Sequence, residues 1–123
     1  MMKKLLALLL LLGGCSDLDI TEISPVDLKP ESLILDVRTV EEHRQAALEQ
    51  KHFLIPLNQL NAADFIREHH LDDSKPLYLL CRSGKRAAIA AKQFKKAGLK
   101  NVVIIRGGIL AAEQAGLKVI KEL

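Results

Sequence analysis

The sequence predicts an α/β domain built on a mostly parallel sheet with helices on both faces. Three observations predict it. Short β-rich apolar runs occupy 32–37, 77–80 and 101–105, helical patterns separate them, and turn chemistry joins each run to the next helix. The 123 residues suit one domain, and 49% apolar with 27% charged residues is an ordinary globular composition. A chain of this size buries roughly 60–70% of its unfolded surface, enough for a core without a disulfide scaffold or structural metal.

The elements follow in order. Residues 20–23 suit an edge strand, and Ser24-Pro25-Val26-Asp27 opens a short helix with Ser24 as N-cap and Pro25 at the first helical position. The run 32–37 (SLILDV) is a strand ending at Asp36, with Arg38 just beyond it. Thr39-Val40-Glu41-Glu42 is a capping box, predicting a helix to about Leu48. Residues 52–55 form a short strand closed by Pro56, and a helix starting at Asn58 or Asn61 runs to His70. After the turn at 72–76, the unbroken apolar run 77–80 reads as a strand covered on both faces. A helix from Ser83 or Gly84 to Ala97 places Ala87, Ala90, Ala91 and Phe94 on one face, with Gly98 as C-cap. Residues 101–105 form another buried strand, Gly107-Gly108 a tight turn, and 109–115 a last helix before Val119 and Ile120.

The first residues read differently. Lys3 and Lys4 precede the apolar run 5–12, which as a helix would extend only ~12 Å. That is too short for ~30 Å of bilayer hydrocarbon, but it suits an export signal. The segment Leu12-Gly13-Gly14-Cys15 resembles the lipobox of bacterial lipoproteins. The resemblance implies a signal peptide at 1–14, acylation of Cys15 as the mature N-terminus, and a tether at 15–19 ahead of the domain at 20–123. It also implies a lipid-anchored location in the bacterial cell envelope, with the membrane as a partner through Cys15. In a double-membrane bacterium, Ser16 after the cysteine implies the outer membrane, facing the periplasm. Of the two cysteines, Cys81 is then the lone thiol.

The formal charge of +3 does not argue for nucleic acid. Without Lys3 and Lys4, 16 basic residues face 15 acidic ones, and one Tyr, three Phe and no Trp leave no stacking platform.

The segment Leu80-Cys81-Arg82-Ser83-Gly84-Lys85-Arg86-Ala87 puts a cysteine at the end of a strand, then a small flexible turn, then a helix. Backbone N–H groups in such a turn converge on one spot, and the helix N-terminus adds about half a positive charge there. A thiolate is an anion that such a spot favours, so Cys81 is expected to be a nucleophile. In open parallel sheets ligands bind beyond the carboxyl ends of the strands, where both this loop and 36–39 are expected.

Asp36-Val37-Arg38, Ile55-Pro56-Leu57, the Cys81 to Arg86 loop, Arg106-Gly107-Gly108 and Ala115-Gly116-Leu117-Lys118-Val119 recur, in this order, as in the rhodanese family of sulfurtransferases, which the chain resembles over 20–120. The resemblance implies a rhodanese-like, doubly wound fold and a thiosulfate sulfurtransferase type of activity. Cys81 would accept a sulfane sulfur from a small anionic donor such as thiosulfate, and the persulfide would pass it to cyanide or a thiol acceptor. Arg82, Ser83, Gly84, Lys85 and Arg86 would bind the substrate, their amides holding sulfur and their basic side chains the sulfite end. No cofactor, metal or general base is implied, and a monomer is expected. The chain departs from the family where Gly-His-Ile-x-Gly-Ala is replaced by Ala47-Leu48-Glu49-Gln50-Lys51-His52, and where Ile109 and Ala112 replace an aromatic residue and a Trp.

Other readings stand beside this one. A phosphatase or arsenate reductase of related fold resembles a longer loop with Arg six positions after the cysteine, where this chain has Ala87. A rhodanese-like module that only binds partners commonly lacks the cysteine. Asp36 and Arg38 are expected to pair near the site in a structural role. His43, His52, His69 and His70 show no metal-ligand spacing and are expected on the surface.

Overall fold

The computed structural model describes residues 20–122, so the expected leader and tether lie outside the described residues. The strands are β1 (Thr21–Ile23), β2 (Leu33–Asp36), β3 (Ala46–Leu48), β4 (Phe53–Leu54), β5 (Leu77–Leu80), β6 (Val102–Ile105) and β7 (Val119–Lys121). The α-helices are α1 (Val40–Gln45), α2 (Ala62–Glu68), α3 (Lys85–Lys96) and α4 (Gly108–Gln114), with 3-10 turns at Pro25–Asp27 and Leu57–Gln59. Five strands form a wholly parallel sheet in the order β1-β6-β5-β2-β4.

Side-chain alternation explains the layers. Leu35 of β2, Leu77 and Leu79 of β5, and Val102 and Ile104 of β6 share one face, where Phe65 of α2 and Ala87, Ala90, Ala91 and Phe94 of α3 cover them. Ile34, Leu80 and Ile105, each one residue out of phase, point to the other face against Ile109 and Ala112 of α4 and Leu48 of β3. Because both faces are covered, β6 reads as the unbroken apolar run VVII with all four residues buried. Three small alanines let α3 lie close to the sheet, and Phe94 meets Phe65 edge to face at 5.9 Å between centroids.

Local signals set several boundaries. The Thr39 hydroxyl accepts from the Glu42 amide while the Glu42 carboxylate accepts from the Thr39 amide, completing the expected capping box of α1. Asn61, rather than Asn58, caps α2 by accepting from the amide of Asp64 at 3.0 Å. The short helix expected after Ser24 is a single 3-10 turn, capped by the Ser24 side chain.

One expectation is corrected. The first helix stops at Gln45 instead of Leu48, and 46–48 become β3, antiparallel to β7. The reason lies in Arg38, whose guanidinium donates to the carbonyls of Glu42 at 3.3 Å and Ala46 at 2.7 Å. It satisfies acceptors at the helix end from within the protein, and Ala46 turns extended (φ −160°, ψ 122°). Helix propensity over three residues is a few tenths of a kcal/mol each, less than this capping together with strand pairing.

Candidate active site

Strand β5 ends at Leu80, and Cys81 follows at once with the residue 1% exposed. The chain reverses over Arg82, Ser83 and Gly84 and enters α3 at Lys85. Gly84 has φ +119°, a left-handed region that a side chain rarely adopts, and it turns its amide inward to donate to Cys81 Sγ at 2.9 Å. The first hydrogen bond of α3 runs from Ala88 N–H to the Gly84 carbonyl. The amides of Lys85, Arg86 and Ala87 therefore have no acceptor inside the helix and form its positive end.

A second helix braces the loop from the other face. Ile109 N–H donates to the Cys81 carbonyl at 2.8 Å, and Leu110 N–H to that of Arg82 at 3.4 Å. Gly108, at φ +62°, makes this approach possible: a Cβ there would lie 2.3 Å from the Cys81 oxygen and 2.4 Å from the Arg82 oxygen. The double glycine thus serves as a contact surface for the cysteine loop as well as a turn.

The basic residues divide into two groups. Arg82 and Lys85 are exposed at the rim, with Ser83 between them, and neither cation forms an ion pair among the described residues. Arg86 is instead half-buried and committed to Glu42 of α1, with Nη1 donating to Oε1 at 2.7 Å and Nη2 to Oε2 at 2.9 Å. This fork holds the Glu42 carboxyl down to about 2, helped by the Thr39 amide and hydroxyl, and raises Arg86 above its ordinary value. Of the basic residues expected to bind substrate, Arg82 and Lys85 are free to do so, whereas Arg86 ties α3 to α1. Glu42 escaped sequence reasoning because the capping box already accounted for it, and its second partner lies 44 residues away.

Asp36 and Arg38 do meet. The carboxylate is fully buried at the end of β2, accepting from the Arg38 amide at 2.9 Å, from Nε at 3.1 Å and from Nη2 at 2.8 Å. Arg38 is 2% exposed and spends its remaining donors on the Glu42 and Ala46 carbonyls. Buried and bonded to each other and to two backbone carbonyls, the pair fits the structural role.

All four histidines were expected on the surface, and three of them are part-buried. His70 is exposed, but His69 is part-buried and packs against Phe53 and Phe65 at 4.5 and 4.4 Å between centroids. His43 and His52, also part-buried, bring their Nε2 atoms to 2.8 Å from each other. Burial, the neighbouring His52 and Arg38 lower the His43 pKa, opposed by Asp36.

The comparisons with known proteins agree with this geometry. A family model described as a rhodanese-like domain matches residues 25–115. The chain is similar to "Putative sulfur carrier protein YrkF" of Bacillus subtilis (strain 168), at 36% identity over 80 residues, covering 64% of this chain and 40% of that protein. It is also similar to the rhodanese domain-containing protein CG4456 of Drosophila melanogaster, at 30% identity over 95 residues, covering 70% and 86% respectively. The chain thus spans less than half the length of YrkF. Among solved structures, protein hp1203 from Helicobacter pylori aligns with a TM-score of 0.67 at 27% identity, covering 82% of this chain and 89% of that one. A rhodanese-related protein from Thermoplasma volcanium aligns with a TM-score of 0.64, also at 27% identity, covering 81% and 97%. With the cysteine loop, the double glycine beneath it and the parallel sheet all in place, the chain belongs to the family of rhodanese-like domains.

Proposed function

We propose that this protein is a sulfurtransferase of the thiosulfate type, working through a persulfide on Cys81. The observation that carries this reading is the placement of Sγ at the end of a central strand, under the Gly84 amide, in the loop that opens α3. The Cys81 thiolate attacks the sulfane sulfur of the donor, the sulfur–sulfur bond of thiosulfate breaks, and sulfite leaves with the electron pair. Cyanide or a thiolate then attacks the terminal sulfur, and its bond to Sγ breaks to restore the thiolate. No proton has to move in the first step, so no general base is needed.

Burial of the cysteine supports a carrier role. A sulfur–sulfur bond extends ~2 Å, so loading moves the reactive atom from the loop floor toward the rim of Arg82 and Lys85. Those side chains suit the anionic sulfite end of a donor. The phosphatase reading is disfavoured because Ala87 is fully buried and Arg86 is committed to Glu42. The physiological donor is taken to be a small sulfur anion, the acceptor cyanide or a thiol, and the protein a monomer.

Intact-mass measurement after incubation with thiosulfate tests the chemistry. A gain of one sulfur, lost on adding cyanide and absent in Cys81→Ala, is expected. Hydrolysis of a phosphate ester with no sulfur adduct would transfer the assignment to the phosphatase reading.

We further propose that the chain is a lipoprotein of the bacterial cell envelope, on the strength of Lys3, Lys4, the apolar run and Gly13-Gly14-Cys15. Among the described residues no helix is long and apolar enough to cross a membrane. Incorporation of labelled palmitate that is lost in Cys15→Ser is the expected result, and equal incorporation in both would refute the anchor.

A further inference from the structure

We propose that His43 and His52 form a binding site for a late first-row divalent metal ion, with Cu(II) the best fit. The pair is assembled by the fold: His43 lies on α1, and His52 precedes β4. Among the described residues, Asp36, His43 and His52 are a group whose potential ligand atoms all lie within 4.8 Å of one another.

The hydrogen bonds define the tautomers. His52 Nδ1 lies 2.7 Å from the Gln50 carbonyl, which can only accept, so Nδ1 carries a proton. In the neutral ring, Nε2 of His52 then bears a lone pair, and His43 must donate to it across 2.8 Å through its own Nε2–H. A ring whose far N–H is tied to a backbone carbonyl is the arrangement that orients metal-binding histidines. Shifting the His43 proton from Nε2 to Nδ1 exposes a second lone pair beside the first, so a neutral pair takes up an ion without releasing a proton.

The donor chemistry selects the ion. Two imidazole nitrogens are donors that suit Zn(II), Ni(II) and Cu(II), and breaking their 2.8 Å hydrogen bond frees both for one ion. Copper also heads the affinity order for such donors. Ring centroids 5.0 Å apart show that the His43 N–H and the His52 lone pair now face each other, so both imidazoles tip when the ion enters. Asp36 is saturated by Arg38, whose guanidinium offsets its charge, so the two imidazoles are the protein ligands and water completes the coordination.

The test uses untagged protein in nonionic detergent, carrying Cys15→Ser and Cys81→Ser so that no thiol competes. It is titrated with Cu(II) and followed by electron paramagnetic resonance. One tightly bound equivalent with hyperfine coupling to two nitrogens is expected. Loss of outer partners alone weakens such sites ~10–100-fold. His43→Gln and His52→Gln, each shown by thermal melting to remain folded, should therefore weaken binding by more than 10-fold, while His69→Gln with His70→Gln should not. Unchanged affinity in both single variants, or no bound signal at millimolar Cu(II), overturns the site and leaves the pair a hydrogen bond only. Because the cysteines are absent, neither outcome bears on sulfur transfer.

Discussion

Two carboxylate–guanidinium forks meet α1, one through the backbone carbonyl of Glu42 and one through its side chain. The pair Asp36–Arg38 has side chains 0% and 3% exposed, and Arg38 also holds two backbone carbonyls. The pair Glu42–Arg86 has the same charges and an equally good fork, yet 27% and 31% of its side-chain surface meets water. Chemistry is nearly constant between them, so their difference isolates burial. In the first, removing one partner strands a charge that water cannot reach; in the second, water substitutes for the lost partner. The first pair therefore holds the fold around β3, and the second adjusts how α3, with its cysteine loop, sits against α1.

The largest effect expected from breaking this contrast is at Arg38. Arg38→Met leaves the Asp36 carboxylate buried and unpaired and should cost about 3–5 kcal/mol in urea unfolding. Adding Asp36→Leu should recover part of the loss, but not the capping of the Glu42 and Ala46 carbonyls. A larger loss in the double variant than in the single one would contradict the account.

Gly108→Ala comes next. Its Cβ meets backbone oxygens of the cysteine loop at 2.3 and 2.4 Å, and strained backbone costs about 1–3 kcal/mol. We expect sulfur loading, read by intact mass, to fall more steeply than stability. Equal loading by folded Gly108→Ala would show that the loop does not depend on this contact.

Glu42→Gln should cost about 1 kcal/mol at neutral pH, reduced by salt because the pair is partly solvated. The sign with pH follows from linkage. The folded carboxyl titrates at about 2, below its ordinary 4.5, so its stabilising contribution is complete above about 4.5 and disappears as pH falls through about 2. Denaturation curves between pH 5 and 2 should be flatter for Glu42→Gln than for the natural chain.

The smallest effect is at His43, whose pKa lies below the ordinary 6.5 mainly because of burial. The unfolded chain then binds the proton more readily, so the contribution is full above 6.5 and shrinks on acidification below it. His43→Gln should remove that slope, measured by thermal melting between pH 7.5 and 5.5.

Much of this was legible in the sequence. The runs at 32–37, 77–80 and 101–105 became β2, β5 and β6 to within two residues, because strands covered on both faces need no polar alternation. Thr39 and Gly84 marked helix starts through local hydrogen bonding and backbone freedom. The β3–β7 ribbon was not legible. Three residues at 46–48 fit a helix as well as a strand, and their partner lies over seventy positions away. The ion pair of Arg86 with Glu42 was not legible either, because Glu42 already had a local role in the capping box.

By itself, the sequence determined what depends on neighbours along the chain: the order of strands and helices, the helix caps, and a cysteine between a strand and a helix N-terminus. Tertiary structure decided which charges are spent on each other, where the first helix stops, and that two histidines nine residues apart share a hydrogen bond. The physical reason is distance. Propensities and capping act over a few residues, whereas ion pairs, capped carbonyls and close backbone approaches depend on side chains that only folding brings within about 3 Å.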